Sequence, residues 1–242
     1  MHVTSLRFHD LALRFYRDRA GLALIEFAIS APLVLLVGCY GVELANLAVV
    51  HMRVSQIALN LADNASRVGA YSNLTTQQLR EVDLNDILQA ARYQGEGLSL
   101  IGNGRITLSS LENVAQSYDT EPVQRIHWQR CIGLQSGAGF DGQFKGKVPT
   151  TAGSTAEVTD KGYDLPLGIS DNGSTPIIAP GGAGVMYVEI NYRTKPLFGT
   201  WFTPPRTLHY IASFVVRDRR DYSQIFNPTP TSTRSTCNLY AP

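Results

Sequence analysis

One segment near the start of the chain restricts its fold more than any other. From Leu22 to Val42 the sequence reads LALIEFAISAPLVLLVGCYGV, with Glu26 as its only charged residue. An α-helix of this length, at a rise of about 1.5 Å per residue, just spans a hydrocarbon core about 30 Å thick. A secretory signal would have a shorter apolar core, of about 7 to 15 residues, closed by a small-residue cleavage site. The segment therefore predicts a membrane anchor.

The charges before this segment indicate how it is oriented. Residues 1–21 carry four arginines against two aspartates, namely Arg7, Arg14, Arg17 and Arg19 against Asp10 and Asp18. By the positive-inside rule, this excess predicts a cytoplasmic N-terminus, a single membrane pass and an exported C-terminal body. Over the whole chain, 21 Lys and Arg balance 20 Asp and Glu, so no basic field indicates a nucleic-acid partner.

The apolar pattern narrows after Val42 but does not end. Apolar residues then recur every three or four positions, which is the spacing of one helix face; they are Leu44, Leu47, Val50, Val54, Ile57, Leu61, Ala65 and Val68. We therefore predict one helix from Leu22 to Val68, with an amphipathic stalk as its second half and Gly69 as its stop signal. The expected domains are a basic leader at 1–21, a transmembrane and stalk helix at 22–69, and an exported head at 70–242.

The head is expected to be an α+β fold in which the long N-terminal helix packs on a mainly antiparallel β-sheet. A second helix is predicted to start after Thr75 or Thr76 and to end at Gly95. Four later segments have the composition of strands; they are Arg105 to Val114, Gln124 to Leu134, Val185 to Arg193 and Leu208 to Arg217. Residues 136–184 are rich in Gly, Ser, Thr and Asp, which predicts a long loop region.

Three smaller patterns in the head also carry expectations. The third strand alternates with period two, which predicts a core face of Met186, Val188, Ile190 and Tyr192 and an opposite face, wet or partner-facing, of Tyr187, Glu189 and Asn191. The aromatic residues Tyr187, Trp201, Phe202 and Tyr210 are expected to fill the core, with a binding surface as the alternative. The charged cluster from Arg217 to Asp221 is expected to be a solvated, internally paired edge, with an interface as the alternative.

The most informative short pattern is Gly21 followed five residues later by Glu26. A carboxylate inside lipid is disfavoured by about 2.5 to 3.5 kcal/mol, so such residues tend to have a partner and a function. If the chain is cut after Gly21, the new amine of Leu22 becomes a charge that Glu26 of a neighbouring subunit can neutralise. The alternative is that Glu26 lies near the cytoplasmic interface and extends its carboxylate to water.

This arrangement resembles the prepilin leader, which a prepilin peptidase cuts after the glycine, and in which the glutamate at the fifth mature position guides subunit docking. More narrowly, Ala23-Leu24-Ile25-Glu26-Phe27-Ala28, followed by Ala31-Pro32-Leu33-Val34-Leu35-Leu36, resembles the TadE-like family of tight-adherence (Tad) pilus systems. The resemblance covers residues 1–50. It implies a pilin-like fold, leader cleavage between Gly21 and Leu22, and an assembly role for Glu26 and Phe27.

The function that the resemblance implies is that of a minor pilin or pilin-like subunit of a tight-adherence, type IV-related pilus, acting in pilus assembly and surface adherence. Such a subunit is held in the bacterial inner membrane before it enters a surface pilus. The implied partners are a prepilin peptidase, other pilus subunits, inner-membrane pilus assembly proteins and membrane lipid. The alternative is a permanently membrane-anchored envelope binding protein that never enters a fibre.

An enzyme is not expected, because no recognisable catalytic set stands in the sequence. The five histidines are scattered, and neither an HExxH nor a CxxC spacing occurs, so no metal site and no cofactor are predicted. A third hypothesis, an exported hydrolase, therefore has no motif in its favour.

The three cysteines divide between the anchor and the head. Cys39 lies in the apolar segment and is expected to be a small residue of the membrane helix. Cys131 and Cys237 lie in the body predicted to be exported, where oxidation is allowed. Their pairing is the economical interpretation, and it would attach the polar tail after Asn227 to the strand that holds Trp128. The alternative is two unrelated thiols.

Overall fold

The structure, a computed structural model, describes residues 20–71, 76–171 and 173–240. The four arginines of the predicted leader lie outside the described residues. The chain divides into two compact units, one of helix residues up to Leu47 together with residues 196–203, and one of residues 48–195 and 204–242. Helix α1 (Ala20–Arg67) belongs to both units, and its bounds agree within two residues with the helix predicted from Leu22 to Val68.

The second unit contains every other helix and strand of the described chain. Its elements in chain order are β1 (Ala70–Tyr71), β2 (Gln77–Arg80), α2 (Glu81–Gln94), α3 (Leu100–Asn103), β3 (Gly104–Val114), β4 (Val123–Ile132), β5 (Tyr163–Asp164), β6 (Gly184–Arg193), β7 (Thr207–Val215) and β8 (Arg220–Phe226). The four predicted strands form β3, β4, β6 and β7, each with bounds within two residues of the prediction. The short strands β1, β2, β5 and β8 were not predicted.

The strands form two sheets. The larger sheet has five antiparallel strands in the order β5-β4-β3-β6-β7, and the smaller has the order β1-β2-β8 with β2 and β8 parallel. Strand β3 is central, and Ile106 lies opposite Ile132 on one side and Ile190 on the other. The prediction of an α+β fold with a long N-terminal helix and a mainly antiparallel sheet is confirmed.

One face of the five-stranded sheet packs against the second half of α1. Val54, Leu61 and Ala65 are at most 2% exposed and belong to one cluster with the predicted core face of β6. The stripe predicted on the helix is therefore correct from Val50 onward, whereas Leu44, in the first unit, is 49% exposed.

The opposite face of the sheet is also buried, and the expectation of a wet or partner-facing surface there is wrong. Tyr187 and Glu189 are each 1% exposed, and Asn191 is 5% exposed. The covering layer comes from the loop region 136–184, whose apolar side chains form a second core with Tyr187; among them are Phe144, Val148, Ala152, Ile169 and Ala179. A segment that is polar in composition supplies enough apolar residues, spaced along its turns, to cover one sheet face.

Two local expectations need correction, the start of α2 and the solvation of the charged cluster near β8. Helix α2 begins at Glu81 rather than after Thr75 or Thr76, of which Thr75 lies outside the described residues. Strand β2 precedes it, and the Asp83 carboxylate accepts the backbone N–H of Arg80 at 3.0 Å, which caps the helix at that point. The cluster from Arg217 to Asp221 is not wholly solvated, because Arg220, the first residue of β8, is only 6% exposed.

Arg220 closes the C-terminal end of α1. Its Nη2 donates hydrogen bonds to the carbonyl oxygens of Ala65 at 3.0 Å and Val68 at 2.7 Å. The last carbonyl groups of a helix have no partner within the helix, so a buried guanidinium that binds them satisfies both sides. Burial lowers the pKa of Arg220 from its ordinary value, with partial compensation from nearby acidic groups.

Candidate functional site

Between Leu22 and Val42, helix α1 exposes apolar side chains all around its circumference. No residue of its most apolar 18-residue window is buried, and Phe27, Leu35 and Val37 are 68%, 67% and 72% exposed. Among the described residues, α1 is the one helix long and apolar enough to cross a membrane, a test that a signal sequence also passes. A surface of this composition suits lipid or other apolar helices rather than water.

Glu26 lies on this apolar surface, one turn of helix after Leu22. Its side chain is exposed, and within the described part of the chain it makes no hydrogen bond or ion pair. Phe27 lies beside it. The structure thus places Gly21, Leu22, Glu26 and Phe27 on the first turns of one helix, with none of the described residues covering them.

Gly21 has no packing role in the described structure. It is helical and exposed, and a Cβ atom added to it would have no neighbour within 4 Å. A helical glycine is less favourable than alanine by about 1 kcal/mol. Packing among the described residues therefore gives no reason for a glycine at this position.

The sequence prediction missed a second carboxylate on the same helix. Glu43 is only 5% exposed, and it accepts the backbone N–H groups of Leu197 at 3.0 Å and Phe198 at 3.3 Å. The same loop carries Trp201, which is 84% exposed and contradicts the expectation that it fills the core. Two signals pointed to this region, a lone carboxylate directly after an apolar run and an uncharged loop sequence, PLFGTWFT.

In the second unit, Cys131 and Cys237 lie at disulfide distance, with their Cα atoms 4.8 Å apart. Cys39 is the free cysteine. The tail that carries Cys237 follows the edge of β4, where the N–H of Cys131 donates to the carbonyl of Ser235 at 2.7 Å. Asn85 of α2 also holds the tail, because its Nδ2 donates to the carbonyl of Thr233 at 2.8 Å.

A buried arginine adds to this attachment of the tail. Arg105, 1% exposed, donates to the carbonyls of Cys237 at 2.8 Å and Leu239 at 3.1 Å, and lies over the Tyr240 ring. Asp141 lies 3.4 Å from its Nε. Burial opposes ionisation of Asp141, but hydrogen bonds from Lys145, the Gly137 N–H and Tyr240 outweigh it and lower the pKa of Asp141. The C-terminal tail is thus an ordered part of the head, held by side-chain and backbone hydrogen bonds and by the cysteine pair.

One cluster contains the residue types of a hydrolase but not its geometry. Ser110 donates to Glu112 at 2.6 Å, and Nδ1 of His127 lies 2.8 Å from the other oxygen of Glu112. The serine therefore binds the carboxylate rather than the histidine that would have to accept its proton. The adjacent cavity measures about 10 Å³, which holds one water molecule at most. This cluster has no room for a substrate.

The N-terminal half of α1 is therefore the candidate functional site, because its apolar side chains from Leu22 to Val37 are largely exposed and Glu26 has no partner within the described chain. The buried ion pairs and the attached tail of the second unit have theirs. Comparison of the chain with protein-family models, curated proteins and solved structures found no match.

Proposed function

We propose that this chain is a minor pilin-like subunit of a tight-adherence pilus, held in the bacterial inner membrane by α1 until it joins the fibre. A prepilin peptidase cuts between Gly21 and Leu22. The N-terminus faces the cytoplasm and the head is exported. The observation that carries the proposal is Glu26, an exposed carboxylate on a fully apolar helical surface, without a partner among the described residues.

The physical reason is the cost of an isolated carboxylate in lipid, about 2.5 to 3.5 kcal/mol. The described chain offers Glu26 no cation, so a cation from a second subunit would remove that cost. Cleavage after Gly21 creates one, the α-amine of Leu22, on the same helix turn. Two neighbouring subunits can therefore pair Glu26 of one with the amine of the other while their apolar helix halves pack together.

The TadE-like resemblance of residues 23–36 supports the same assignment. It provides the reason to choose a tight-adherence pilus among fibre-forming systems, and its partners follow: the peptidase, other pilus subunits and inner-membrane assembly proteins. The exposed position of Gly21, with open space around its Cβ, supports access by a peptidase.

The test is replacement of Glu26 by Val or Gln in the cell. Both changes make the helix easier to place in lipid, so insertion and leader cleavage should continue, whereas pilus counts and co-purification with other pilus subunits should fall to near zero. Glu26→Asp is the matched control, because it retains the charge and should retain most assembly. A processed, abundant Glu26→Val protein that supports normal piliation would refute the pairing and favour the permanently anchored binding protein.

A second test concerns the leader. Gly21→Ala should remain uncut, because it removes the glycine after which the peptidase cuts. The uncut protein should stay in the inner membrane, because the four arginines of the leader cannot cross with the helix. N-terminal sequencing of membrane-extracted protein reads this directly. A wild-type protein with an intact Met1, or normal processing of Gly21→Ala, contradicts the leader assignment.

A further inference from the structure

The loop of residues 196–203 forms one compact unit with the first part of α1. Its sequence, PLFGTWFT, contains no charged residue. Three of its apolar side chains are open to the surroundings, with Trp201 84%, Leu197 57% and Phe198 39% exposed. A contiguous apolar surface on a loop is unusual in water, since most exposed loops present polar side chains.

The loop is attached to the helix at two residues. Both oxygens of Glu43 lie within 3.3 Å of the Leu197 backbone nitrogen, and Oε2 also accepts the Phe198 N–H. One turn earlier on α1, the Tyr40 ring meets the Phe202 ring edge-on, with centroids 6.2 Å apart. A charge-assisted bond to backbone N–H groups and an aromatic contact together fix the loop beside this part of the helix.

The loop also has an internal structure that directs Trp201 outward. Gly199 has φ of +92°, a conformation that favours glycine, and its carbonyl accepts the N–H groups of Phe202 at 3.2 Å and Thr203 at 3.3 Å. The Phe202 ring packs edge-on against the rings of Phe198 and Trp201. The exposed aromatic group is therefore held in place by a tight turn and by its neighbours.

The position of the attachment along α1 identifies what covers the loop. Tyr40 and Glu43 follow Leu22 by 18 and 21 residues, or about 27 and 32 Å at the helical rise, which matches the thickness of a hydrocarbon core. The loop thus lies at the depth where the span ends. Trp and Tyr are enriched at that boundary, since their rings are apolar and their N–H or O–H groups reach water.

We infer that residues 196–203 are an interfacial membrane anchor, with Leu197, Phe198 and Trp201 inserted at the boundary between headgroups and acyl chains, at the end of the span remote from the N-terminus. Glu43 fastens this anchor to α1. The inference rests on the part of the proposed function that places α1 in a bilayer, and it is independent of pilus assembly. The occupant of the apolar loop surface is lipid.

The chain contains the optical probes for the test. It has two tryptophans, Trp201 and Trp128, and Trp128 is 2% exposed in the second unit. The full chain is reconstituted in phosphatidylcholine and phosphatidylglycerol vesicles, with phosphatidylcholine brominated either near the headgroup or near the chain ends. Subtracting the emission of Trp201→Phe from that of the wild type isolates the Trp201 signal. In a separate sample, a fluorophore on Val34→Cys in a Cys39→Ser background reports whether the span lies in lipid.

The expected result is that lipid brominated near the headgroup reduces Trp201 emission about twofold, more than lipid brominated near the chain ends, while aqueous acrylamide has little effect. Glu43→Ala should release the loop and increase acrylamide quenching of Trp201. Glu26→Ala, the matched control at the other end of the span, should leave the Trp201 signal unchanged.

The other outcomes are distinguishable. A Val34 probe in lipid with Trp201 quenched only by acrylamide overturns the loop anchor and leaves the membrane helix intact. A Val34 probe in water overturns the membrane placement on which the proposed function rests. Protection of Trp201 from both quenchers, lost when the protein is diluted with empty vesicles, assigns the loop surface to a second copy and also overturns the inference.

Discussion

The two halves of helix α1 both carry apolar side chains, but these have different surroundings. From Leu22 to Val42 the apolar residues are exposed, as Leu35 is at 67%, whereas from Val50 onward one stripe is buried, as Leu61 is at 2%. The difference is that the second half has a sheet to pack against, whereas in the first half the described residues contact the helix only near its end, where the loop of residues 196–203 meets Tyr40 and Glu43. Helical continuity alone therefore does not reveal which apolar residues stabilise the fold.

Three glutamates show the same contrast between exposed and enclosed positions. Glu26 is exposed and has no partner in the described chain, Glu43 is held by backbone N–H groups, and Glu81 is fully buried in an ion pair with Arg130. Glu43 and Glu81 thus have their hydrogen-bond partners within the described chain. Glu26 has none among the described residues, which is the contrast on which the proposed pairing between subunits rests.

The comparison of the helix halves fails if substitutions in both have equal effects on stability. Leu61→Ala should lower the free energy of unfolding of the head by about 2 to 5 kcal/mol, because it leaves a cavity in the core. Leu35→Ala, the matched change in the exposed half, should lower it by less than about 0.5 kcal/mol. Urea unfolding of the detergent-solubilised protein, followed by the near-ultraviolet signal of the buried Trp128, measures both. A large effect of Leu35→Ala would show that the first half packs on the head.

The disulfide should stabilise the second unit only. Replacing Cys131 and Cys237 by Ser is expected to lower the free energy of unfolding by about 2 to 4 kcal/mol, because the bond restricts a long loop in the unfolded chain. Cys39→Ser, in the exposed half, should leave it unchanged. Thiol alkylation of exported protein under non-reducing conditions, followed by mass spectrometry, should modify Cys39 alone. Recovery of Cys131 and Cys237 as alkylated thiols contradicts the bond.

A buried carboxyl in the head, that of Glu189, should make stability depend on pH. Burial, together with the nearby Asp171, raises the pKa of Glu189 to about 7 from 4.5, although the Gln143 N–H opposes the shift. The folded state therefore holds this proton more tightly than the unfolded state does. The stability that the protonated form contributes is present below about pH 4.5 and is lost as the pH rises to about 7.

The loss amounts to at most about 3 kcal/mol, the free energy of that pKa shift. Glu189→Gln should remove this dependence of stability on pH and be more stable than the wild type at pH 8. Thermal unfolding between pH 4.5 and 8 measures the difference. Parallel curves for Glu189→Gln and wild type would show that this carboxyl does not titrate in the folded head.

The smallest expected effect lies at the end of the enclosed half of the helix. Arg220→Met should lower the free energy of unfolding by about 2 kcal/mol, because it removes charge-assisted hydrogen bonds to the carbonyls of Ala65 and Val68. Hydrogen exchange should then rise in the last turns of α1. Arg219→Met, an exposed neighbour, is the control. Unchanged protection of the helix end in Arg220→Met contradicts the role of this guanidinium.

The sequence by itself determined the elements with strong, local periodicity. The helix from Leu22 to Val68 and the four long strands follow from apolar spacing, which depends only on backbone geometry. Cleavage after Gly21 and pairing of Glu26 also come from the sequence, and they stay predictions. The short strands β2 and β8 were missed because a few residues carry too little pattern, and the hydrogen bonds that define them come from segments far apart in the chain.

The tertiary structure alone decided what covers each face. The period of β6 separates Tyr187 and Glu189 from the core face, but only the path of residues 136–184 buries them, since burial depends on residues distant in sequence. In the same way, its aromatic side chain predicted that Trp201 fills the core, whereas the structure exposes it. The structure also shows that Glu43 accepts a backbone N–H of the loop that carries Trp201. Periodicity records which side chains share a face, whereas the surroundings of that face are fixed only when the whole chain has folded.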